Sequence, residues 1–299
     1  MSKQPFNKPH LSIDQHIALL RERGLHLEEE YAKNHLHNIG YFRLIGYFCP
    51  LLEQPKEAHH FKEGSNFEQA MTLYKFDRKL RLLLFSQIEK IEIAIRSFIV
   101  EKGLMETNDV QWLMNKGNFR DESRFQQICD LLDKEWNSSK EDFVCHFNEI
   151  YSDNPPIWMI IELILLGALA HLFQNIRKTS LQKSIAKEFG LPPAVLVSWM
   201  FSLSGILNIC FYHNHLWNKV LPDTSMVLTI PHAPWIDAAS IDRSRTYYKM
   251  AMVKYLLEFI NPKNVFKEAL LDLHAAYPSI DFRAIGFTKD WEQEPLWQS

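Results

Sequence analysis

Residues 67–101 read FEQAMTLYKFDRKLRLLLFSQIEKIEIAIRSFIVE and contain neither glycine nor proline. Just before them, Ser65 and Glu68 have the spacing of a capping box, which marks the start of a helix. Apolar residues recur on most faces of the helix that this stretch would form, so we expect one long central helix that other helices largely enclose. This stretch decides the fold class, because a buried helix of this length needs helical neighbours to cover it.

The segments on both sides also have the helical period. Ser12 and Gln15 form another predicted capping box, followed by a short amphipathic helix. Downstream, one helix is predicted over residues 157–176, and another begins at Pro192 and runs into residues 207–219. Since no two alternating apolar runs follow one another, the sequence predicts an all-α fold.

Composition limits the class of protein. The chain has 299 residues, of which 46% are hydrophobic, so it can bury a substantial core. No stretch has the composition of a linker, and we expect a single domain over residues 1–299. The formal net charge is −3, so any nucleic-acid contact must depend on a local patch rather than on a global basic field.

Sequence features indicate a cytoplasmic protein. Residues 1–10 contain lysines but no apolar segment, which argues against a secretory signal. The apolar run at residues 157–173 contains Glu162 and His171 and is shorter than the ~20 residues that cross a bilayer, so we interpret it as a buried helix. The four cysteines form no C-x-x-C pair and are expected to be reduced core residues.

The sequence gives no sign of a cofactor or a metal. It has neither a Walker-type glycine loop nor a dinucleotide-binding fingerprint, and we expect no cofactor. The pairs His35-x-His37 and His213-x-His215 lack a nearby cysteine or acidic residue that would complete a set of metal ligands. We therefore predict no metal site.

One side of the long helix is charged. At about 100° per residue, one narrow stripe holds Arg78, Arg81, Glu89, Glu92 and Arg96. The stripe is either a series of ion pairs four residues apart along a solvated edge, or the lining of a polar cleft. The second interpretation follows from the rule that charges in apolar surroundings are kept where they are paired or functional.

Glu162 is the only acidic residue within 157–173. A buried carboxylate is costly without a cation, so Arg81 or Arg96 is its expected partner. Such a pair would either link two core helices or position a charged group near a ligand. The sequence leaves both roles open.

Residues 207–219 read LNICFYHNHLWNK and carry the densest set of polar rings in the chain. If they continue the preceding helix, Asn208, Tyr212 and His215 share one face, and His213 lies on an adjacent face. A ribonuclease without a metal needs groups that take and give protons and a cation that stabilises the transition state. The alternative is a core helix whose histidines are satisfied by hydrogen bonds.

This stretch resembles the arginine-asparagine-x-x-alanine-histidine-histidine signature of the Abi-like family of abortive-infection proteins, a branch of the HEPN superfamily of helical ribonucleases and RNA-binding proteins. Asn208 stands at the polar position and His213 at the second histidine, whereas Leu207 replaces the arginine and Tyr212 the first histidine. Further segments resemble the family in the same order; they are residues 11–12, 41–47, 76–81, 88–96, 155–162 and 286–291.

The resemblance implies a HEPN-like helical core at about residues 65–220, with helical extensions at both ends. It also implies a role in defence against phage or in toxin-antitoxin-like growth arrest, with RNA as ligand or substrate. A homodimer and an antitoxin or companion RNA are the other implied partners. No membrane partner is expected.

For the chemistry, the resemblance implies that His213 and Asn208 are the catalytic candidates. Tyr212 and His215, together with the charged stripe and Glu162, would line an RNA-binding cleft between the helices of residues 67–101 and 192–218. Leu207 cannot donate a hydrogen bond to phosphate, so ribonuclease activity would be impaired unless Lys219, Arg243 or Arg245 replaces the missing cation. The alternative function is that of a non-catalytic regulator or scaffold acting through protein–protein or dimer contacts.

Overall fold

The computed structural model describes residues 9–222 and 225–298, and in them it confirms the all-α prediction. Isolated bridges occur between single residues of the described ranges, but no strand. The expectation of no secretory signal falls mostly on residues 1–8, which lie outside the described residues. The described α-helices are α1 (Ile13–Glu22), α2 (Glu29–Ile39), α3 (Tyr41–Phe48), α4 (Phe67–Thr107), α5 (Glu122–Ser138), α6 (Asp142–Ile150), α7 (Ile157–Ile160), α8 (Leu166–Asn175), α9 (Thr179–Lys187), α10 (Pro193–Phe211), α11 (Thr246–Ile260) and α12 (Phe266–Ala276).

The chain divides into two compact units, one ending at Lys79 and the other beginning at Leu80. The single-domain expectation stays a prediction. In the first unit, Ser12 and Gln15 exchange the two hydrogen bonds of the predicted capping box, which confirms it. The buried carboxylate of Asp77 accepts a 2.6 Å hydrogen bond from the Tyr47 hydroxyl, so a polar contact joins α3 to the part of α4 that lies in this unit.

Helix α4 begins one residue away from the predicted cap. The reciprocal bonds join Asn66 and Gln69, at 2.9 and 3.0 Å, and the predicted Ser65–Glu68 box is wrong. The helix also runs past Gly103, where a Cβ atom would lie only 2.3 Å from the Trp112 indole nitrogen. The glycine therefore does not end the helix but makes room for a buried ring.

The expectation that α4 is largely enclosed is wrong for one face. Leu82, Phe85 and Ile93 are 56%, 39% and 53% exposed. They stand at positions i, i+3 and i+11, which a helix places on the same side. Apolar residues recur around α4 because this exposed side adds to the buried ones.

The helix predicted over residues 157–176 is broken. After α7, a 3₁₀ turn spans Ile161–Leu163, and Ile164 and Leu165 take extended backbone angles before α8 begins. The break turns the Glu162 side chain outward, and about half of it is exposed. The prediction of a buried carboxylate at Glu162 is therefore wrong.

Helix α11 is the most completely enclosed element of the second unit, since every residue from Thr246 to Leu257 is buried. Its Tyr255 ring packs at 5.6 Å, edge-on, against Trp199 of α10. The C-terminal segment closes the other side: the indole N–H of Trp297 donates to the Tyr247 hydroxyl, which donates to Glu294. Burial first, and this carboxylate second, raise the pKa of Tyr247.

Helix α10, rather than residues 157–173, has the length and apolar composition of a membrane span. Of its most apolar stretch, 44% is buried within the protein. Its buried side chains include Leu196, Trp199 and Leu203, and the Trp199 indole donates to the Met226 carbonyl. It has the contacts of a core helix.

The four cysteines are free, but Cys49 and Cys145 are exposed, so the prediction that all four lie in the core is wrong.

Candidate functional site

The polar motif of residues 207–219 lies at the end of α10 and in the segment that follows it. The helix ends at Phe211, so Tyr212, His213 and His215 do not continue its faces. The predicted alignment of Asn208, Tyr212 and His215 on one helical face is therefore wrong. Asn208, on the last helical turn, is exposed, as are Tyr212 and His213, and His215 is half-buried.

The turn that ends α10 places His213 in an unusual backbone conformation. The N–H of Asn214 donates to the Ile209 carbonyl and that of His213 to the Cys210 carbonyl, which is the bonding of a Schellman cap. His213 takes the left-handed position of this cap, with φ of 56°. The same pair of bonds ends α9, where Gly190 takes the left-handed position with φ of 59°. A position that suits glycine holds an exposed imidazole here.

We expect His213→Gly to raise the free energy of unfolding by up to about 1 kcal/mol and His213→Ala to leave it no higher than in the wild type, because glycine lacks the Cβ atom that both histidine and alanine carry at this positive φ. Urea unfolding of the three proteins measures the difference. A glycine variant less stable than the alanine variant would contradict this account of the turn. His213→Gly is therefore the cleaner variant for removing the imidazole.

Two exposed rings flank the turn. Phe211 and Tyr212 are 65% and 64% exposed, and their ring centroids lie 5.3 Å apart in an edge-to-face arrangement. Exposed aromatic side chains beside a polar turn offer stacking surfaces for unpaired bases. The sequence indicated Tyr212 but gave no reason to single out Phe211, whose exposure depends on where the helix ends.

Lys219, Arg243 and Arg245 are the cations considered as replacements for the missing arginine, and Arg245 is hydrogen-bonded to the motif segment. Its guanidinium donates to the backbone and side-chain oxygens of Asn218, at 3.3 and 3.0 Å, and to Asp242 at 3.3 Å. Hydrogen bonds from Ser244, and then Arg245, lower the pKa of Asp242. The guanidinium is thus held by a carboxylate as well as by the motif segment.

The charged stripe of α4 forms a local ion-pair site around the break between α7 and α8. Arg96 donates to Glu92 at 2.5 Å and to the Ile164 carbonyl at 2.8 Å. Glu92 also accepts the N–H of Leu166, the first residue of α8. One ion pair therefore satisfies a carbonyl at the break and an N–H at the start of the next helix. Glu162 lies 4.0 Å from Arg96, so the predicted Arg96 partner is confirmed at the limit of an ion pair.

Burial outweighs pairing at Glu92. The side chains of Glu92 and Arg96 are only 10% and 12% exposed. Desolvation raises the pKa of Glu92, although Arg96 and the Leu166 N–H favour its charged form. The remaining stripe residues differ: Arg78 and Glu89 are exposed, whereas Arg81 is buried. The stripe is thus a boundary between core and solvent.

The structure gathers the candidates into two groups. In the described part of the chain, no hydrogen bond or ion pair joins Asn208 or Tyr212 to Glu92, Arg96 or Glu162. Two cavities border α10, and the described residues that line them come from α8 to α11 and from loops rather than from α4. An RNA-binding cleft between α4 and α10 stays a prediction. No group of three metal-ligating side chains occurs among residues 9–222 and 225–298.

Comparison with known proteins gives one result. A family model described as "Abi-like protein" matches residues 34–218, which contain α3 to α10 and most of the polar motif. No curated protein and no solved structure matches the chain.

Proposed function

Because that match covers well over half of the chain, the protein belongs to the Abi-like family, and from this premise we propose that it acts in abortive infection, a bacterial defence against phage, by binding RNA in the cytoplasm. Its binding surface is the α10 turn, which we define as residues 208–215. The partner is single-stranded RNA, since only unpaired bases can stack on side chains.

The exposed Phe211–Tyr212 pair beside His213 is the observation that carries this proposal. Rings that point into solvent at a helix end have no packing role to explain them, and a base stacked on an aromatic ring gains about 1–3 kcal/mol. Lys219 supplies positive charge in the following segment, whereas Arg245 is held at Asn218 and Asp242 offsets its charge. Stacking on the two rings, rather than a broad basic patch, therefore provides most of the binding, in keeping with a net charge of −3.

The same turn carries the remains of a metal-independent ribonuclease site. His213 is the proton-transfer group and Asn208 the residue that orients the RNA, in the roles that the HEPN resemblance implies. Leu207 leaves the developing phosphorane charge without a guanidinium, a loss of roughly a hundredfold to a thousandfold in rate. RNA binding is thus the main activity, and cleavage is residual.

We expect Phe211→Ala and Tyr212→Ala each to weaken the binding of a single-stranded RNA by about 5- to 150-fold, the equivalent of one lost stacking contact. Fluorescence anisotropy of a labelled oligonucleotide at low salt measures the affinity. Tyr151→Ala, which removes an exposed tyrosine at the end of α6, is the matched control and should leave the affinity unchanged. Equal affinities in all four proteins would exclude the α10 turn as the binding surface.

The exposed side of α4 supports a second candidate function, that of a regulator or scaffold acting through protein contacts. Leu82, Phe85 and Ile93 together offer an apolar strip of the kind found in interfaces. A second copy of the chain is the simplest occupant, and the mass of the protein in solution measures it. A dimer that binds no RNA would favour this candidate over the first.

A further inference from the structure

The first unit has a cavity of its own, of about 340 Å³. This volume is near the lower limit of ligand pockets, so it suits a small molecule. Each described residue that lines the cavity belongs to this unit, and the walls come from the end of α1, from α3 and from the loop that follows α3. The apolar walls are formed by Tyr41, Ile45, Phe48, Leu52 and Phe61. Three of these five side chains are aromatic, which favours a ligand with a flat ring.

Backbone hydrogen bonds fix the loop that forms one wall. The N–H of Lys62 donates to the Leu51 carbonyl, and the N–H of Phe61 donates to the carbonyl of Arg23 at the end of α1, both at 2.9 Å. The first bond closes the loop on itself, and the second holds it against α1. The cavity is therefore preformed, which lowers the cost of ordering it around a ligand.

Charged side chains of both signs line the same cavity. Arg23 is half-buried and Glu57, in the loop, is exposed. Within the described ranges, neither side chain forms a hydrogen bond or an ion pair with the other or with a third residue. Lys56 adds a second cation to the walls. The cavity thus offers both a positive and a negative group with which a ligand can pair.

The charges and the apolar walls together indicate the class of ligand. A free amino acid carries a carboxylate, which a guanidinium binds through two parallel hydrogen bonds, and an ammonium, which donates to a carboxylate. An aromatic amino acid also supplies the ring that the apolar walls would cover. A nucleoside monophosphate meets these requirements less well, because it has no cationic group for Glu57 and brings its phosphate close to that carboxylate.

We propose that this cavity binds a free aromatic L-amino acid, with Arg23 contacting the carboxylate, Glu57 the ammonium, and Tyr41 and Phe48 the ring. The site lies in the first unit, is separate from the α10 turn and does not depend on RNA binding there. The thiol of Cys49, which is exposed and also lines the cavity, takes no part in recognition but lies where a bound ligand would cover it.

The test is isothermal titration of the full chain with L-phenylalanine and three analogues. We expect L-phenylalanine to bind. L-phenylalaninamide lacks the carboxylate and N-acetyl-L-phenylalanine lacks the ammonium, so each should bind at least about tenfold more weakly. D-phenylalanine carries the same three groups in the mirror arrangement and cannot place all of them at once, so it should also bind at least about tenfold more weakly.

Two variants assign the charged contacts. Arg23→Gln and Glu57→Gln should each weaken L-phenylalanine by about 10- to 100-fold. Both should keep the melting temperature of the wild type, because neither side chain bonds to another residue of the described ranges. Lys75→Gln and Glu53→Gln are the matched controls: they remove exposed charges of the same unit that do not line the cavity and should leave the affinity unchanged.

The thiol of Cys49 provides a second measurement. Saturating L-phenylalanine should slow the alkylation of Cys49 by iodoacetamide, followed by peptide mass spectrometry, while the exposed Cys145 of α6 reacts at an unchanged rate. Absence of L-phenylalanine binding, equal affinity for the N-acetyl or the D form, or undiminished binding by Arg23→Gln would overturn the proposal. Tyr212→Ala should weaken RNA without affecting L-phenylalanine, which separates this site from the α10 turn.

Discussion

Leu207→Arg is expected to raise the rate of RNA cleavage by about a hundredfold or more, because it returns a guanidinium to the position where the Abi-like signature has arginine. Leu207 is half-buried on the last turn of α10, next to the exposed Asn208. A long side chain that starts there can extend along the helix surface and place its charge in solvent. Cleavage of end-labelled total RNA by the pure protein measures the rate.

Two matched variants show whether the gain in cleavage rate comes from the charge of the new arginine and from proton transfer by His213. Leu207→Gln adds a polar side chain without charge and should gain little. His213→Gly, combined with Leu207→Arg, should abolish the gain while the turn keeps its backbone conformation. Equal cleavage by the wild type and the Leu207→Arg variant would mean that another cation, with Arg245 as the first candidate, already occupies the role.

Arg96→Ala should lower the free energy of unfolding by about 3–5 kcal/mol near neutral pH, the usual cost of removing one member of a buried ion pair. The variant leaves the buried Glu92 carboxylate without its cation and the Ile164 carbonyl without its donor. Arg78→Ala, in the same stripe but exposed, should stay within about 0.5 kcal/mol of the wild type. Urea unfolding of the three proteins compares them.

The cost of Arg96→Ala should also depend on pH. Burial raises the pKa of Glu92 in the folded state, so the stability that its protonated form contributes is present in acid and is lost as pH rises through the folded pKa. Removing Arg96 raises that pKa further, because the attraction that favours the charged form is gone. The destabilisation should thus shrink towards about pH 4 and grow towards neutrality. A cost of less than 1 kcal/mol at every pH would contradict the structural role.

The same pair of variants separates the two interpretations of the charged stripe. If Arg96 only joins α4 to the break between α7 and α8, the folded Arg96→Ala protein should bind RNA as well as the wild type does. If the stripe lines an RNA-binding cleft, Arg78→Ala should weaken RNA without changing stability. The structure supports the ion-pair interpretation at Glu92 and Arg96 and leaves the exposed Arg78 and Glu89 available to a ligand.

The fold class could be predicted from the sequence because a long stretch with the helical period indicates a helix even where its first and last residues are misplaced. The errors concern helix ends and one break inside a predicted helix. The backbone at Ile164 and Leu165 leaves the helix although both residues are apolar, since the Glu92–Arg96 pair on another element accommodates the break. Such long-range polar contacts have no signature in the local sequence.

The position of the polar motif near the end of an apolar helix could be predicted from the sequence, but its geometry could not. The helical faces assumed for residues 207–215 are wrong because His213 ends the helix in a left-handed conformation. Helix ends of this kind are usually marked by glycine, as at Gly190, and a histidine in that position gives no warning.

Helix α11 also sets the point during synthesis at which the apolar side of α10 can be covered. The surfaces that Trp199 and Tyr255 share cannot close until Ile260 has left the ribosome, long after α10 has emerged. Until then a nascent chain displays the apolar side of α10 to chaperones and to its neighbours on the same messenger. Translation that stops before Thr246 therefore yields a chain that has its polar motif but not the helix around which the second unit is packed.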